Sequence, residues 1–285
     1  MPELPEVELC RRSLARWTAS RIVVAVHVPD PAVVRGRLTT RPDGALVDGV
    51  ARLQGLVGGR VVGLSRRGKR LGIQVNISDE SVFFVVHLGM TGRWVRREDD
   101  QPQRHGRLAL RVDDGSVLWF EDPRRFGCVV PVTDLADALA DGVGPDALDA
   151  DLSATALRDA LLGPRGRCRA AVKVSLMDQK KLAGMGNIQA TEALWRAGLP
   201  PDRATEALDD DQWRALALAI RWTLLRTLDM EGDDEVVYLS AGGRNPFLIY
   251  GRAGEPCPTC AEPIRTCRLG GRVTSFCGKC QSISA

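Results

Sequence analysis

The spacing of apolar positions along the chain changes after Val132. Before that point, residues 7–17 show the period of an amphipathic helix, with Leu9, Leu14 and Trp17 on one face. Short Val-rich segments bounded by Gly, Asp or Asn follow, a pattern typical of a β-sandwich or barrel. The predicted strands cover residues 21–28, 60–75, 82–90, 107–112, 116–120 and 127–132, with a polar excursion at 31–55.

Helical periodicity dominates the second half of the chain. Predicted helices cover residues 157–162, 172–182, 188–197 and 210–228, after a linker at 134–144. The last helix has an Asp-rich start, which suits the positive end of a helix dipole. Its apolar stripe contains Trp213, Leu216, Ile220, Leu224 and Leu228. Residues 231–250 contain glycine and break the periodicity, so we expect a mobile loop there.

Composition narrows the class of protein. With 285 residues, 44% hydrophobic and 26% charged, the chain is long enough for two domains and has the balance of a soluble globular protein. It contains no apolar run of membrane-spanning length and no signal-peptide pattern at its acidic, Pro-rich start, so we expect a cytoplasmic protein without membrane contact.

The net charge is only +3, but cationic residues cluster at 60–70 and 164–183. These clusters fit either a solvated basic face or a surface that follows phosphates.

The placement of the eight cysteines indicates a metal site. Cys257 and Cys260 form one C-x-x-C pair, Cys277 and Cys280 form another, and sixteen residues separate the pairs. Two such knuckles are typical of a four-thiolate zinc ribbon, whose closed coordination shell makes the ion structural. We therefore predict one structural zinc ion and no organic cofactor. Cys267 falls outside the spacing, and Cys10, Cys128 and Cys168 are predicted to be free thiols.

The start of the chain carries a candidate nucleophile. If Met1 is removed, Pro2 presents a secondary amine whose pKa is roughly 8, so part of it is neutral at physiological pH. Attack on a carbon at the aldehyde oxidation level gives an iminium ion with a fixed positive charge, which is an efficient electron sink. The carboxylate of Glu3 lies one residue away and is suited to moving protons. The alternative is an ordinary Pro-containing tail.

Six motifs decide between these alternatives. They are PELPEVE at 2–8, RRGK at 66–69, HLGMTG at 87–92, DPRRFG at 122–127, LMDQKKLAGMGN at 176–187 and YGRAGEPC at 250–257. Together with the ribbon, they resemble the formamidopyrimidine-DNA glycosylase/endonuclease VIII family over nearly the whole chain. The resemblance implies an α+β multidomain fold. Its parts are an N-terminal β-sandwich with a leading helix (1–135), a helical helix–two-turn–helix domain (136–248) and a C-terminal zinc ribbon (249–285).

The resemblance also implies an activity, a partner and a set of site residues. The activity is that of a bifunctional DNA glycosylase/AP lyase, which excises a damaged base through a proline iminium and cleaves the strand by β,δ-elimination. The partner is double-stranded DNA with damaged bases or abasic sites, bound by a monomer.

Motif position matches Pro2, Glu3 and Lys69 to catalytic residues, and Glu6 to a residue that supports them. The residues matched to DNA binding are His105, Arg107, Lys173, Asn187 and Arg272, and those matched to intercalation are Met90, Arg124 and Phe126. A surface salt bridge is the alternative for Lys173, and core packing is the alternative for Met90 and Phe126. For His87 we favour a structural role, holding a loop by hydrogen bonds.

Three departures from the family pattern bear on substrate choice. Gln189 stands where tyrosine is usual, Arg70 stands where an aromatic residue is common, and the 231–250 loop is short and unusual. PELPE and DPRRFG favour the branch that excises oxidised or ring-opened purines. The alternatives are an endonuclease VIII-like or divergent glycosylase for oxidised pyrimidines or bulky adducts, and a non-catalytic zinc-ribbon protein that binds damaged DNA.

Overall fold

A computed structural model describes residues 2–38, 46–99, 101–230 and 245–282. These residues form two compact units. The first, called here the β unit, contains Pro2 and residues 6–141, and the second, called the helical unit, contains residues 3–5, 142–230 and 245–282. No helix in the described ranges is long and apolar enough to cross a membrane.

The β unit consists of a leading helix and two antiparallel four-stranded sheets. Helix α1 spans Leu4–Thr18, and the first sheet has the order β1 (Val23–His27), β6 (Gly106–Val112), β7 (Val117–Glu121), β5 (Arg93–Arg97). The second sheet has the order β2 (Arg60–Arg67), β3 (Arg70–Ile77), β4 (Glu80–His87), β8 (Cys128–Val132). Short helices α2 (Gly49–Gln54) and α3 (Leu135–Ala140) and a 3-10 turn at Pro31–Val33 complete the unit.

Side chains from both sheets and from α1 share one core in the β unit. Val7 and Leu14 of α1 pack with Leu71 and Phe84 of the second sheet and Phe120 of the first, all of them buried. The facing sides of the two sheets enclose this core, which is the arrangement of a sandwich. On the first sheet, the alternate positions Val95, Ala109, Val117 and Trp119 form a second buried cluster. The predicted β-sandwich with a leading helix is therefore confirmed.

Four of the sequence predictions for the β unit need correction. The segment predicted as one strand at 60–75 is the hairpin β2–β3, because Gly68 at φ +54° and Lys69 form a two-residue turn between the paired Arg67 and Arg70. Strand β5 was not predicted, since it is only five residues long and rich in arginine. The polar excursion contains α2, and the linker contains α3, which begins where the Asp134 side chain caps Asp137 N.

The helical unit is built on four helices and a two-stranded ribbon. The helices are α4 (Ala154–Leu162), α5 (Val172–Met177), α6 (Asn187–Arg196) and α7 (Asp210–Met230), and the ribbon strands are β9 (Arg265–Leu269) and β10 (Arg272–Phe276). Asp209 caps Gln212 N, and the Gln212 side chain accepts from Asp209 N, so α7 begins at a reciprocal capping box. The predicted stripe of α7 is buried with Leu157 and Leu194.

One predicted helix is shorter than expected. Helix α5 ends at Met177, whereas the prediction extended it to Leu182. The Gln179 amide accounts for this end, because it donates to Met177 O at 2.9 Å and Met185 O at 2.8 Å and accepts from Gly184 N at 3.0 Å. A side chain that bonds to backbone groups in this way competes with helix continuation. Of the predicted loop at 231–250, residues 231–244 lie outside the described ranges.

Candidate functional site

Glu3 is a buried carboxylate fixed at the start of α6. It is 2% exposed, and its two oxygens accept from Ile188 N at 2.9 Å and Gln189 N at 3.0 Å. These are amides of the first turn of α6, where a negative charge is stabilised by unpaired N–H groups and by the helix dipole. Pro2, the residue before Glu3, is also buried. The fold thus holds the Glu3 carboxylate in a fixed position. In the sequence, Glu3 directly follows the predicted nucleophile.

Two glycines make room for this N-terminal segment. Gly184, at φ +105°, accepts from Leu4 N at 3.1 Å, and a Cβ at this position would meet the Leu4 side chain. A Cβ on Gly186 would collide with the Glu3 carboxyl group. The spacing of the glycines in LAGMGN is therefore a steric requirement of the contact with residues 3–4.

Lys173 and Asn187 are brought together with the ribbon. The Lys173 ammonium donates to Asn187 Oδ1 at 2.5 Å and to Thr274 Oγ1 at 2.7 Å, and Asn187 Nδ2 donates to Val273 O at 3.1 Å. Lys173 is 0% exposed, so the surface salt bridge considered as its alternative role is wrong. Burial lowers the pKa of Lys173 to about 8, with the nearby Arg272 acting in the same direction.

Arg272 lies at the tip of the ribbon and is exposed. Gly270 and Gly271 both have positive φ, at +55° and +73°, and they connect the paired Leu269 and Arg272. Two central residues in the left-handed region are the requirement of a tight type I′ hairpin, which only glycine meets without strain. The turn therefore presents the Arg272 guanidinium to solvent.

The loops that carry Met90, Arg124 and Phe126 lie against each other. A Cβ on Gly89, at φ +66°, would come within 2.5 Å of Gly127 N and Phe126 C, so the two loops touch through their backbones. Met90 and Phe126 are half-buried, and the exposed Arg124 places its guanidinium 4.9 Å from the centroid of the Phe126 ring. The structure thus groups the three residues predicted to intercalate.

Buried charges that sequence reasoning missed hold this wedge loop, defined as residues 123–127. The Asp122 carboxylate, 0% exposed, accepts from Thr91 Oγ1 at 2.5 Å, Gly127 N at 2.7 Å and Arg124 N at 3.2 Å. The Arg35 guanidinium, 1% exposed, donates to Arg125 O at 3.0 Å and Gly127 O at 3.1 Å. An aspartate directly after a strand and before a turn was the available signal for the first, whereas no pattern around Arg35 indicated the second.

The remaining predicted residues of the β unit have different surroundings. Lys69 lies in the β2–β3 turn and is half-buried, and Glu6 is 5% exposed within α1. His105 is half-buried, and its carbonyl accepts from Asp122 N at 2.9 Å. Arg107 Nε donates to Asp122 O at 2.9 Å, so its guanidinium holds the residue that directly follows β7.

His87 holds the Met90 loop, in line with the structural role favoured for it. Its Nδ1 accepts from Gly89 N at 3.0 Å, which requires that nitrogen to be unprotonated. Burial lowers the pKa of His87 to about 4, and the charges of Lys69, Arg70 and Arg35 act in the same direction.

A second missed carboxylate anchors the chain before the ribbon. Glu192 on α6 is 3% exposed and accepts from three consecutive amides: Leu248 N at 3.0 Å, Ile249 N at 2.9 Å and Tyr250 N at 2.8 Å. A glutamate on the buried face of a predicted helix was the only sequence signal for this contact.

The four predicted zinc ligands form one cluster. The Sγ atoms of Cys257, Cys260, Cys277 and Cys280 all lie within 4.8 Å of one another. The Cys257–Cys280 and Cys260–Cys277 sulfur distances are 3.8 and 3.4 Å. Tetrahedral zinc with Zn–S bonds near 2.3 Å requires sulfurs about 3.8 Å apart, so the donor set fits this ion.

Comparison with known proteins matches three family models in series. They are the formamidopyrimidine-DNA glycosylase N-terminal domain at residues 1–129, the formamidopyrimidine-DNA glycosylase H2TH domain at 143–237 and the zinc finger found in FPG and IleRS at 254–283. The formamidopyrimidine-DNA glycosylase of Laribacter hongkongensis is 37% identical over 289 residues, covering 99% of this chain and 100% of the relative. That of Pelobacter propionicus is 38% identical over 287 residues, with the same coverage.

Solved structures agree in fold. The complex of Lactococcus lactis Fpg with DNA containing an abasic site superposes with a TM-score of 0.82 at 28% identity, covering 99% of this chain and 100% of that one. The MutM (Fpg) protein of Thermus thermophilus gives a TM-score of 0.77 at 31% identity over the full length of both chains.

Proposed function

The chain belongs to the formamidopyrimidine-DNA glycosylase family, and from that premise we propose how its own residues carry out the reaction. It is a DNA glycosylase with AP lyase activity in base-excision repair, and its partner is double-stranded DNA with damaged bases or abasic sites. The four clustered cysteines hold one structural zinc ion.

Pro2 is the nucleophile in this proposal, after removal of Met1. Its nitrogen attacks C1′ of the damaged nucleoside and loses its proton, the glycosidic bond breaks, and the base leaves with the bonding electron pair and gains a proton. The nitrogen lone pair then opens the sugar ring: the C1′–O4′ bond breaks, its electron pair stays on O4′, which gains a proton, and the iminium forms between Pro2 and C1′. The resulting iminium acidifies the C2′ proton, whose loss expels the 3′-phosphate, and a second elimination then expels the 5′-phosphate. Glu3 moves protons to and from the opening sugar ring.

The fixed Glu3 carboxylate is the observation that carries this assignment. Two amides of α6 donate to its two oxygens, so the carboxylate stays in one place. A proton-transfer group held in a fixed position beside the reacting centre saves the entropy of orientation at each turnover. An ordinary N-terminal tail has no need of a buried carboxylate at its third residue.

The DNA contacts are assigned by chemistry and by position in the family motifs. Lys69, Asn187 and Arg272 bind backbone phosphates around the everted nucleotide, and His105, Arg107 and Lys173 support backbone binding. Met90 and Phe126 fill the space that the nucleotide leaves, while Arg124 hydrogen-bonds the unpaired base opposite. The cation–π contact between Arg124 and Phe126 keeps this pair together before DNA arrives.

Oxidised or ring-opened purines are the proposed lesions. Two of the three departures from the family pattern, Arg70 and Gln189, make hydrogen bonds that hold the fold together. Arg70 donates to Ala138 O at 2.9 Å and to Asp141 O at 2.7 Å, at the end of α3. Gln189 is 0% exposed and donates to Thr227 Oγ1 at 2.9 Å. These two substitutions therefore give no reason to move the chain to the oxidised-pyrimidine branch. The domain limits 1–135, 136–248 and 249–285 and a cytoplasmic location remain predictions.

Borohydride trapping tests the nucleophile. After intact-mass measurement shows that Met1 is absent, the enzyme should form a covalent complex with duplexes that contain 8-oxoguanine or an abasic site. Pro2→Gly should reduce trapping at least tenfold while the affinity for an uncleavable abasic-site analogue stays the same. Glu3→Gln should reduce base release more than trapping on a preformed abasic site. Unchanged trapping by Pro2→Gly would mean that another amine is the nucleophile, and no trapping by the wild type on any lesion would favour a non-catalytic binder.

A further inference from the structure

We propose that Lys173 is a positioning residue, which orients the Asn187 amide toward phosphate instead of contacting DNA itself. The proposal rests on the phosphate-binding role proposed above for Asn187 and changes the role of Lys173 within it. Three observations in the helical unit lead to this assignment: burial, hydrogen-bond polarity and the link to the ribbon.

Burial separates Lys173 from solvent. Its side chain is 0% exposed, and its ammonium contacts Asn187 and Thr274. A lysine that neutralises a DNA phosphate needs an exposed ammonium, as Arg272 has an exposed guanidinium at the ribbon tip. In this conformation Lys173 has no exposed surface at which a phosphate could accept a hydrogen bond from it.

Hydrogen-bond polarity fixes the Asn187 amide. A lysine ammonium has only donors, so the Asn187 atom that it contacts at 2.5 Å must be the oxygen. The amide nitrogen then points the other way and donates one proton to Val273 O at 3.1 Å. Within the described part of the chain, the second Nδ2 proton has no hydrogen-bond partner. It is therefore available for an anionic acceptor such as a phosphate oxygen.

The same ammonium ties this amide to the ribbon. Thr274 Oγ1 accepts from Lys173 at 2.7 Å and lies two residues after Arg272. Lys173 thus connects α5, the first residue of α6 and β10 through one group. Removal of the ammonium would leave both the Asn187 oxygen and the Thr274 hydroxyl without their shared donor, and the amide would be free to rotate by 180°.

A double-mutant cycle with a salt titration tests the proposal. The variants are Lys173→Met, Asn187→Ala, the double variant and, as a matched control, Lys180→Met, which removes the same charge from an exposed site. Binding to a duplex with an uncleavable abasic-site analogue is measured at several salt concentrations. Thermal unfolding and zinc content identify any variant that has not folded.

Lys173→Met should weaken binding by roughly tenfold, the effect of losing one hydrogen bond to a charged group. Asn187→Ala should weaken it similarly, and the double variant should bind no worse than either single one. The dependence of log K on log salt should keep its slope in Lys173→Met. A slope reduced by about one unit, with losses that add, would assign Lys173 to direct phosphate contact and overturn the proposal.

Two further outcomes separate the proposal from its premise. If Asn187→Ala binds as the wild type does, the phosphate-binding role of Asn187 fails, and the positioning role fails with it. If Asn187→Ala is weak but Lys173→Met binds normally, only the positioning role fails. Asn187→Asp gives an independent check, because it keeps the partner of Lys173 but removes both Nδ2 protons, so it should bind at least as poorly as Asn187→Ala.

Discussion

The β unit and the helical unit both fix their candidate residues with buried charges, but the partners of those charges differ in distance along the chain. In the β unit, Asp122 holds amides only two and five residues ahead of it. In the helical unit, Lys173 reaches Thr274 across 101 residues, and Glu3 reaches Ile188 across 185. The wedge loop therefore combines these local contacts with the Arg35 guanidinium, which reaches Arg125 O and Gly127 O across 90 and 92 residues. The contacts of Glu3 with α6 and of Lys173 with the ribbon, in contrast, exist only once remote segments have assembled.

Zinc removal should show the largest difference between the units. Cys277→Ser removes one of four sulfurs, and structural zinc contributes on the order of 10 kcal/mol to folding of such sites. The ribbon should lose its fold and, with it, the positions of Thr274 and Arg272, so specific DNA binding should be lost. The contribution of the β unit to the circular dichroism spectrum of the full chain should change little, since none of the four clustered ligands lies in that unit.

Cys267→Ser is the matched control for zinc removal. Cys267 lies on β9 between the two knuckles but outside the cluster of four sulfurs. This variant should retain one zinc per chain by metal analysis and should bind abasic-site DNA normally. Loss of zinc from it would show that the ligand set has been assigned incorrectly.

Asp122→Ala should destabilise the β unit without affecting zinc. The change leaves Gly127 N without its buried acceptor at 2.7 Å and removes the partner of Thr91, which together cost about 3 kcal/mol of unfolding free energy. Urea unfolding should register this loss, and Asp122→Asn, which keeps one acceptor oxygen, should lose less. Equal stability of the wild type and Asp122→Ala would mean that the wedge loop does not depend on the carboxylate.

Glu192→Ala is the counterpart in the helical unit. It should lower the free energy of unfolding by a similar amount, because it removes the acceptor of three amides.

Sequence reasoning succeeded where the determinants were local. The zinc cysteines, for example, follow from two C-x-x-C spacings. It failed at the end of α5, because the helical period continues through Gln179 while the Gln179 side chain takes backbone partners. The burial of Lys173 was also not visible, since its enclosing contact is 101 residues away. A lysine at that position gives the same sequence signal whether it faces solvent or a threonine.

Gly186→Ala should affect catalysis more than stability. The added methyl group would collide with the Glu3 carboxyl group, and the adjustment costs about 1–3 kcal/mol if Glu3 has to move. Displacement of Glu3 should slow base release while DNA affinity changes by less than about threefold, because Asn187 keeps its contacts with Lys173 and Val273. Single-turnover kinetics and binding to the abasic-site analogue separate these effects. Gly36→Ala is the control, since its added methyl would make only an ordinary contact with Leu46.

Acidification should loosen the Met90 loop through His87. The folded protein holds the pKa of His87 at about 4, whereas the unfolded chain has the ordinary value of 6.5. Between these values the unfolded state binds a proton that the folded state does not, so this contribution to stability is complete above pH 6.5 and declines as the pH falls toward 4. His87→Asn keeps an acceptor for Gly89 N but does not titrate in this range. The difference in urea midpoint between wild type and His87→Asn should therefore change steadily from pH 7 to pH 4, and a constant difference would mean that His87 is protonated equally in both states.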